Sequence, residues 1–173
     1  MNLVVVDCET TGVDPNVDKI VEVAGVWGNP FVTYDGLCNP GIPIPAPAMA
    51  IHHITAEMVK DAPAPEEIVE SLLLQIGTSE PVFVAHNAEF DRSMLGAVFP
   101  KLKDRPWICT WRCSMHVWPD APSHSNQALR YWLGLSPELP EGLYPHPALY
   151  VAIGTHPPLS AFPLAYTHLP PPP

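Results

Sequence analysis

The sequence predicts an α/β protein, a layer of buried strands covered by helices. Three observations carry this. Short apolar runs rich in β-branched residues fall at 2–6, 19–27, 81–85 and 107–110, and helical patterns at 65–77, 87–99, 112–118 and 125–133 follow or separate them. The chain of 173 residues is long enough to bury one core without disulfides or a structural metal. Its composition, 47% apolar and 15% charged, is that of a globular chain rather than a disordered one.

The elements follow in order. Asn2 to Val6 reads as a strand buried on both faces, with Asp7 at its end. Gly12 to Asn16 supplies turn chemistry, Lys19 to Trp27 is a second strand interrupted only by Glu22, and Asn29 to Leu37 is its hairpin partner. Asn39 to Pro47 carries too many prolines for a helix or a central strand and is expected as an extended loop. Thr55 with Met58 and Val59 suggests a short helix. Pro65-Glu66-Glu67 opens a longer one that runs to Gly77, since proline and acids suit a first turn. Pro81 to Ala85 is a third apolar strand, and Asn87 to Phe99 is a helix with Phe90, Met94, Leu95 and Val98 on one face. Trp107 to Thr110 is a further strand, followed by helical stretches near Arg112 to Trp118 and Ser125 to Leu133.

The last third is different. From Ser136 onward, 11 of the 24 prolines fall in 38 residues. A helix is expected to start at Pro147, and Pro157-Pro158 must stop it. The expected organisation is one domain over residues 1–156 and an irregular proline-rich tail over 157–173.

Eighteen acidic against eight basic residues give a net charge of −10, which excludes a basic protein that coats nucleic acid by counterion release. It does not exclude a nucleic-acid enzyme, because carboxylates gathered on divalent cations reverse the local field. The basic side chains Arg92, Lys101, Lys103, Arg105, Arg112 and Arg130 lie in one stretch, which fits either steering of a phosphate backbone or a solvated face. No run approaches the roughly 18 apolar residues of a membrane-spanning helix, and the start of the chain lacks the basic residues of a signal peptide. A cytoplasmic, reducing location without membrane contact is therefore expected, with Cys8, Cys38, Cys109 and Cys113 as free thiols. Cys109, Cys113 and His116 lack a fourth partner for a soft metal site.

The sharpest feature is Asp7-Cys8-Glu9-Thr10-Thr11-Gly12. In a strand, residues 7 and 9 share a face, so two carboxylates emerge together at a carboxyl end, where open α/β sheets place their sites. Such a pair repels itself unless a hard cation such as magnesium or manganese neutralises it. Alone, the pair also fits two acids that end a strand in solvent. Asp91, one turn into a helix after Phe83-Val84-Ala85-His86-Asn87, can face the same strand ends, or can be a first-turn acid favoured by the helix dipole. His146, alone, fits a polar surface residue.

Together and in order these segments resemble the DEDD superfamily of 3′-5′ exonucleases, in the branch with a histidine base, and within it the exodeoxyribonuclease X family. The resemblance covers about residues 2 to 150. It rests on Val-Val-Asp-Cys-Glu-Thr-Thr-Gly at the first strand, Ala-Met-Ala-Ile-His-His-Ile-Thr at 48–55 and Val-Ala-His-Asn-Ala-Glu-Phe-Asp at 84–91. Trp-Ile-Cys-Thr at 107–110, Ser-Asn-Gln-Ala-Leu at 125–129 and Gly-Leu-Tyr-Pro-His-Pro-Ala-Leu-Tyr at 142–150 extend it. It implies a ribonuclease H-like fold, a mixed sheet of about five strands with helices on both faces. It also implies two Mg2+ or Mn2+ ions held by Asp7, Glu9 and Asp91, with His146 as the base that takes a proton from water. Thr10, Thr11, Ile51, His52, His53 and Asn87 would hold the terminal nucleotide, while Met49, Ile51 and Ile54 equally fit ordinary packing. The implied substrate is DNA with a 3′ end, single-stranded, degraded to nucleoside 5′-monophosphates.

The sequence departs from that pattern at three places, one of them Pro157-Pro158, which intervene where the family carries a longer helix. The family carries a carboxylate five residues after the histidine, where this chain has Val151, and usually arginine where Pro147 stands. Valine offers no lone pair to a hard cation, and no Asp or Glu occurs from Gly142 to the last residue. The alternatives to a working DNA exonuclease are a weakened module that grips 3′ ends, an exonuclease acting on RNA, and a protein-partner role through the proline-rich tail.

Overall fold

The computed structural model describes residues 3–28, 30, 32–77, 80–135, 148, 151 and 152. Among these, five strands form one sheet: β1 (Leu3–Thr10), β2 (Ile20–Trp27), β3 (Val32–Leu37), β4 (Val82–Ala85) and β5 (Trp107–Cys109), in spatial order β3-β2-β1-β4-β5. The hairpins β1–β2 and β2–β3 are antiparallel, and β1–β4 and β4–β5 are parallel. The expected mixed five-strand architecture is the one observed. The helices are α1 (Ala46–His52), α2 (Ala56–Val59), α3 (Pro65–Ile76), α4 (Ala88–Val98), α5 (Thr110–Val117) and α6 (Asn126–Trp132), with a 3-10 turn at Pro100–Asp104.

Strand alternation divides the core. Val4, Val6 and Cys8 face α3 and α4, packing with Val69, Leu72, Met94 and Leu95. Val5, Ala24, Val26 and Val84 face the other way and are covered by Ala148 and Ala152, which are helical. Helical residues thus lie on both faces. At Gly25 an added Cβ would stand 2.8 Å from Leu72 Cδ1, so the missing side chain lets α3 lie close on the sheet.

Two expectations are corrected. Asp7 is not the end of its strand: β1 continues to Thr10 because β2 goes on pairing with it as far as Thr10↔Ile20. The segment expected as loop from Asn39 to Pro47 turns helical at Ala46, with Pro45 as the N-cap and Pro47 in the first turn, where a proline ring removes no helical hydrogen bond. His146, the helix start expected at Pro147 and the tail over 157–173 lie outside the described residues. All four cysteines are free thiols, as expected. Among the described residues no helix is long and apolar enough to cross a membrane.

Candidate active site

The pairing of β1 ends at different points on its two sides. With β4 it stops at Val5↔Val84, while with β2 it continues through Asp7↔Ala24 and Glu9↔Glu22. The far end of β1 is therefore open on the β4 side, and α4 fills the gap. Asp91 is buried in the first turn of α4, and its Oδ1 accepts the Cys8 backbone N–H at 3.1 Å and the Cys8 thiol at 3.4 Å. A side chain of α4 thus takes the place in the ladder that β4 leaves.

Asp7 and Glu9 stand on the face opposite Cys8, and cross-strand from Glu9 on the same face is Glu22, which is fully buried. Desolvation, then the charges of Asp91, Glu9 and Glu22 in that order, hold the Asp7 carboxyl well above the usual carboxylate range. Burial pushes Glu9 up to about 7. Burial, opposed by the Cys8 hydrogen bonds, leaves Asp91 at about 7. Burial and the neighbouring Asp35 raise Glu22 to about 8. The ion pairs Lys60–Glu57, Arg92–Glu89 and Arg105–Glu80 involve none of these four acids. Four desolvated oxygen donors, of which Asp7, Asp91 and Glu22 are raised further by neighbouring carboxylates, are what a hard divalent cation would relieve. Among the described residues, however, no three Asp, Glu, His or Cys side chains are placed so as to hold one ion together as they stand. Asp91 keeps Oδ1 on Cys8 and Glu22 keeps Oε2 on the Ala148 N–H at 3.1 Å. The donor chemistry fits a cation; the ligand cage is not preformed.

Other site residues separate into builders and exposed groups. Thr10 donates its hydroxyl to the Gly12 carbonyl, and the Thr11 hydroxyl donates to Asp18 at 3.0 Å and accepts the Lys19 N–H. Both threonines are buried, so their hydroxyls shape the loop that follows β1. A Cβ on Gly12 would stand 2.4 Å from the Asp18 carboxylate, which explains the glycine. His52 is buried as well: its Nδ1 accepts the Ile54 N–H at 3.0 Å, and the remaining ring nitrogen faces the Thr10 backbone. It ties α1 to the end of β1. Ile51 and His53, by contrast, are exposed, and His53 adopts a left-handed conformation at φ 61°. Asn87, exposed at the N-cap of α4, does the same at φ 74°. Strained non-glycine residues of this kind persist where surrounding structure holds them, commonly at binding sites. His86 helps hold Asn87, its ring bridging the Thr110 hydroxyl at 3.0 Å and the His124 carbonyl at 2.8 Å.

In the sequence Glu22 reads as a mere interruption of a strand, yet the fold buries it beside Glu9. An acid inside Ile-Val-Glu-Val-Ala was the available signal, because a carboxylate is buried in such a run only when bonded.

A family model described as an exonuclease, RNase T, matches residues 4–150. The chain belongs to the RNase T exonuclease family. Within it, Exodeoxyribonuclease 10 of Escherichia coli K12 is 35% identical over 146 residues, 84% of this chain and 61% of that protein, so the chain spans about three-fifths of that relative's length. A DNA polymerase III subunit epsilon-like protein of Rhodobacter capsulatus is 36% identical over 163 residues, covering 89% of this chain and 22% of that one. Among solved structures, Exonuclease X in complex with 5′-overhanging duplex DNA superposes with a TM-score of 0.73 at 33% identity, over 96% of this chain and 92% of that chain. Exonuclease I of E. coli with a dT13 oligonucleotide shares the fold, with a TM-score of 0.73 at 14% identity, over 96% of this chain and 43% of that one. Exonucleases of the RNase T family use divalent metal ions.

Proposed function

We propose that residues 1–156 form a metal-dependent exonuclease domain that removes nucleotides from the 3′ end of single-stranded DNA as nucleoside 5′-monophosphates. What supports this is the burial of Asp7, Glu9 and Asp91 near the open end of β1, close enough that the charges of Asp91 and Glu9 add to burial in raising Asp7. The likeness to Exonuclease X, which covers 92% of that chain, supports the choice of DNA.

In this reading Asp7, Glu9 and Asp91 would hold two Mg2+ or Mn2+ ions. When bound, these ions supply neutralising charge for the phosphate and acidify the attacking water. His146 accepts the proton of that water as the bond from phosphorus to the 3′-oxygen breaks. Cys8 steadies Asp91 through its backbone N–H, so that one carboxylate oxygen stays oriented and the other is available. Ile51, His53 and Asn87, which are exposed, would hold the terminal nucleotide, with Thr10, Thr11 and His52 fixing the loops behind them. The four free thiols suit a reducing, cytoplasmic location.

The experiment is digestion of a 5′-labelled single strand in magnesium and in manganese. Stepwise shortening with release of 5′-mononucleotides is expected, and its loss in Asp7→Ala; internal cuts, or equal digestion by Asp7→Ala, would overturn the reading. Faster digestion of RNA than DNA would move the substrate class. One observation favours a second reading, a module that grips 3′ ends without useful turnover: Val151 stands where the family pattern has a carboxylate. Strand binding without mononucleotide release in either metal would support it.

A further inference from the structure

Beside the carboxylate site lies a cavity of about 200 Å³ between the N-terminus of α4, β5 and the start of α5. Asn87, Glu89, Arg92, Trp107, Trp111 and Arg112 line it. These are the residue types of a single-strand subsite, aromatic planes beside guanidinium groups. Their commitments differ. Trp107 is a wall: its ring stacks on Phe83 with centroids 5.0 Å apart, and its indole N–H donates to the Leu102 carbonyl. Arg92 is fixed in place, with Nε and one terminal nitrogen donating to the Lys103 carbonyl at 2.9 and 2.6 Å and the other 3.9 Å from Glu89. The Glu89 charge, the one acid in the lining, is thus set against a cation already.

Trp111 and Arg112 are different. Both are exposed on the first turn of α5, Trp111 at 38%. No hydrogen bond or ion pair among the described residues uses the Trp111 indole or the Arg112 guanidinium. The chain carries a net charge of −10 and only eight basic side chains, so an uncommitted arginine beside an open indole is a local reversal of its field.

The place matters as much as the chemistry. β1, β4 and β5 are parallel neighbours and Asn87, Trp111 and Arg112 follow β4 and β5, so the cavity lies at the carboxyl end of the sheet on the face covered by α4, while Asp7 and Glu9 stand on the other face at that end. β5 stands two strand spacings, roughly 10 Å, from β1. Asn87 belongs to both, since it lines the cavity and precedes by four residues the Asp91 that reaches β1.

We propose that this cavity is a strand-binding subsite, in which a base of the DNA being digested, inward of its 3′-terminal nucleotide, stacks on Trp111 while its phosphate lies against Arg112. This rests on the exonuclease reading for the identity of the strand, but not for the binding itself.

The test is binding by the full chain in calcium, with fluorescein-labelled (dT)12 followed by anisotropy and dTMP by calorimetry. Trp111→Ala and Arg112→Ala should each weaken (dT)12 by about tenfold and leave dTMP unchanged. Arg112→Ala should also lower the salt slope of (dT)12 binding by about one, whereas Arg112→Lys should keep it. Trp111→Phe should retain most of the affinity. Unchanged (dT)12 affinity in both alanine variants, or an equal loss for dTMP, overturns the subsite. If the wild type digests (dT)12 while those variants bind it normally, only the subsite falls. If the variants lose (dT)12 as expected but the wild type releases no mononucleotide in magnesium or manganese, only the exonuclease reading falls.

Discussion

Asp91 Oδ1 accepts the Cys8 backbone N–H at 3.1 Å, and through this bond α4 completes a strand edge that β4 leaves open after Ala85. The same carboxylate therefore has a structural oxygen and a chemical role, and the two can be separated. Asp91→Asn keeps an acceptor for Cys8 and removes the charge that, after burial, does most to raise Asp7. It should fold at least as stably as the wild type in the absence of metal and have no nuclease activity. Asp91→Ala leaves a buried N–H unsatisfied, at a cost of about 1–3 kcal/mol, and should melt below Asp91→Asn. Thermal melts in EDTA rank the three; an alanine variant that melts with the asparagine variant would show that the Cys8 bond is dispensable.

The acid cluster sets a pH dependence of stability. Unfolded carboxylates titrate near 4, whereas Glu9 and Asp91 are at about 7, Glu22 at about 8 and Asp7 well above its usual value, first because of burial. The folded chain therefore binds more protons than the unfolded chain between these limits. Stability from this source is complete below about pH 4 and is lost as pH rises through 7 to 8. In EDTA the melting temperature should fall between pH 5.5 and 8.5. Manganese should raise it more at pH 8.5, where the cation does not compete with protons. Asp7→Asn should flatten both trends. A melting temperature that rises with pH in EDTA would contradict the cluster.

How much of this was legible in the residues varies by element. The five strands and α3 to α6 followed from apolar runs, prolines and first-turn acids, because those signals are local. α1 was hidden, since Pro45 and Pro47 break a helix anywhere but in its first turn, and only tertiary contact decides that the helix starts there. Asp7, Glu9 and Asp91 were found by spacing and resemblance. The inward roles of Thr10, Thr11 and His52 were not, because a hydroxyl or imidazole reads the same whether it meets a ligand or a backbone group. Glu22 was missed because its partner, the Ala148 N–H, lies 126 residues away.

That partner gives Glu22 a testable task. Ala148 follows His146 by two residues, and the Asn126 side-chain amide donates to the Val151 carbonyl at 3.0 Å, so a strand and α6 hold the same helical segment at two points. Glu22→Gln retains an acceptor for Ala148 and should keep most of the activity. Glu22→Leu should lower kcat by about tenfold or more at unchanged KM, the sign of a misplaced catalytic group rather than of weaker binding. In a His146→Ala background it should have little further effect. Full additivity of the two substitutions would show that Glu22 does not act through this segment.

Position 151 offers the clearest gain-of-function test. Ala148 and Ala152 pack with Val5 and Ala24, of which Val5 precedes Asp7 on its face of β1 and Ala24 is the cross-strand partner of Asp7. The helical segment bearing Val151 therefore crosses the neighbours of Asp7, and Val151 itself is only half-buried, so an aspartate there need not be forced into an apolar core. A carboxylate at 151 is the donor that the family pattern has at this position. Magnesium, which demands near-ideal octahedral geometry, should benefit more than the more tolerant manganese. Val151→Asp is expected to raise single-strand digestion by orders of magnitude in magnesium and less in manganese. It should also steepen the loss of stability with pH in EDTA, because it adds a further acid to the cluster. The two readouts separate two explanations: no gain in activity with a steeper pH profile means that residue 151 reaches the acids but is not a ligand, and no change in either means that its side chain points elsewhere.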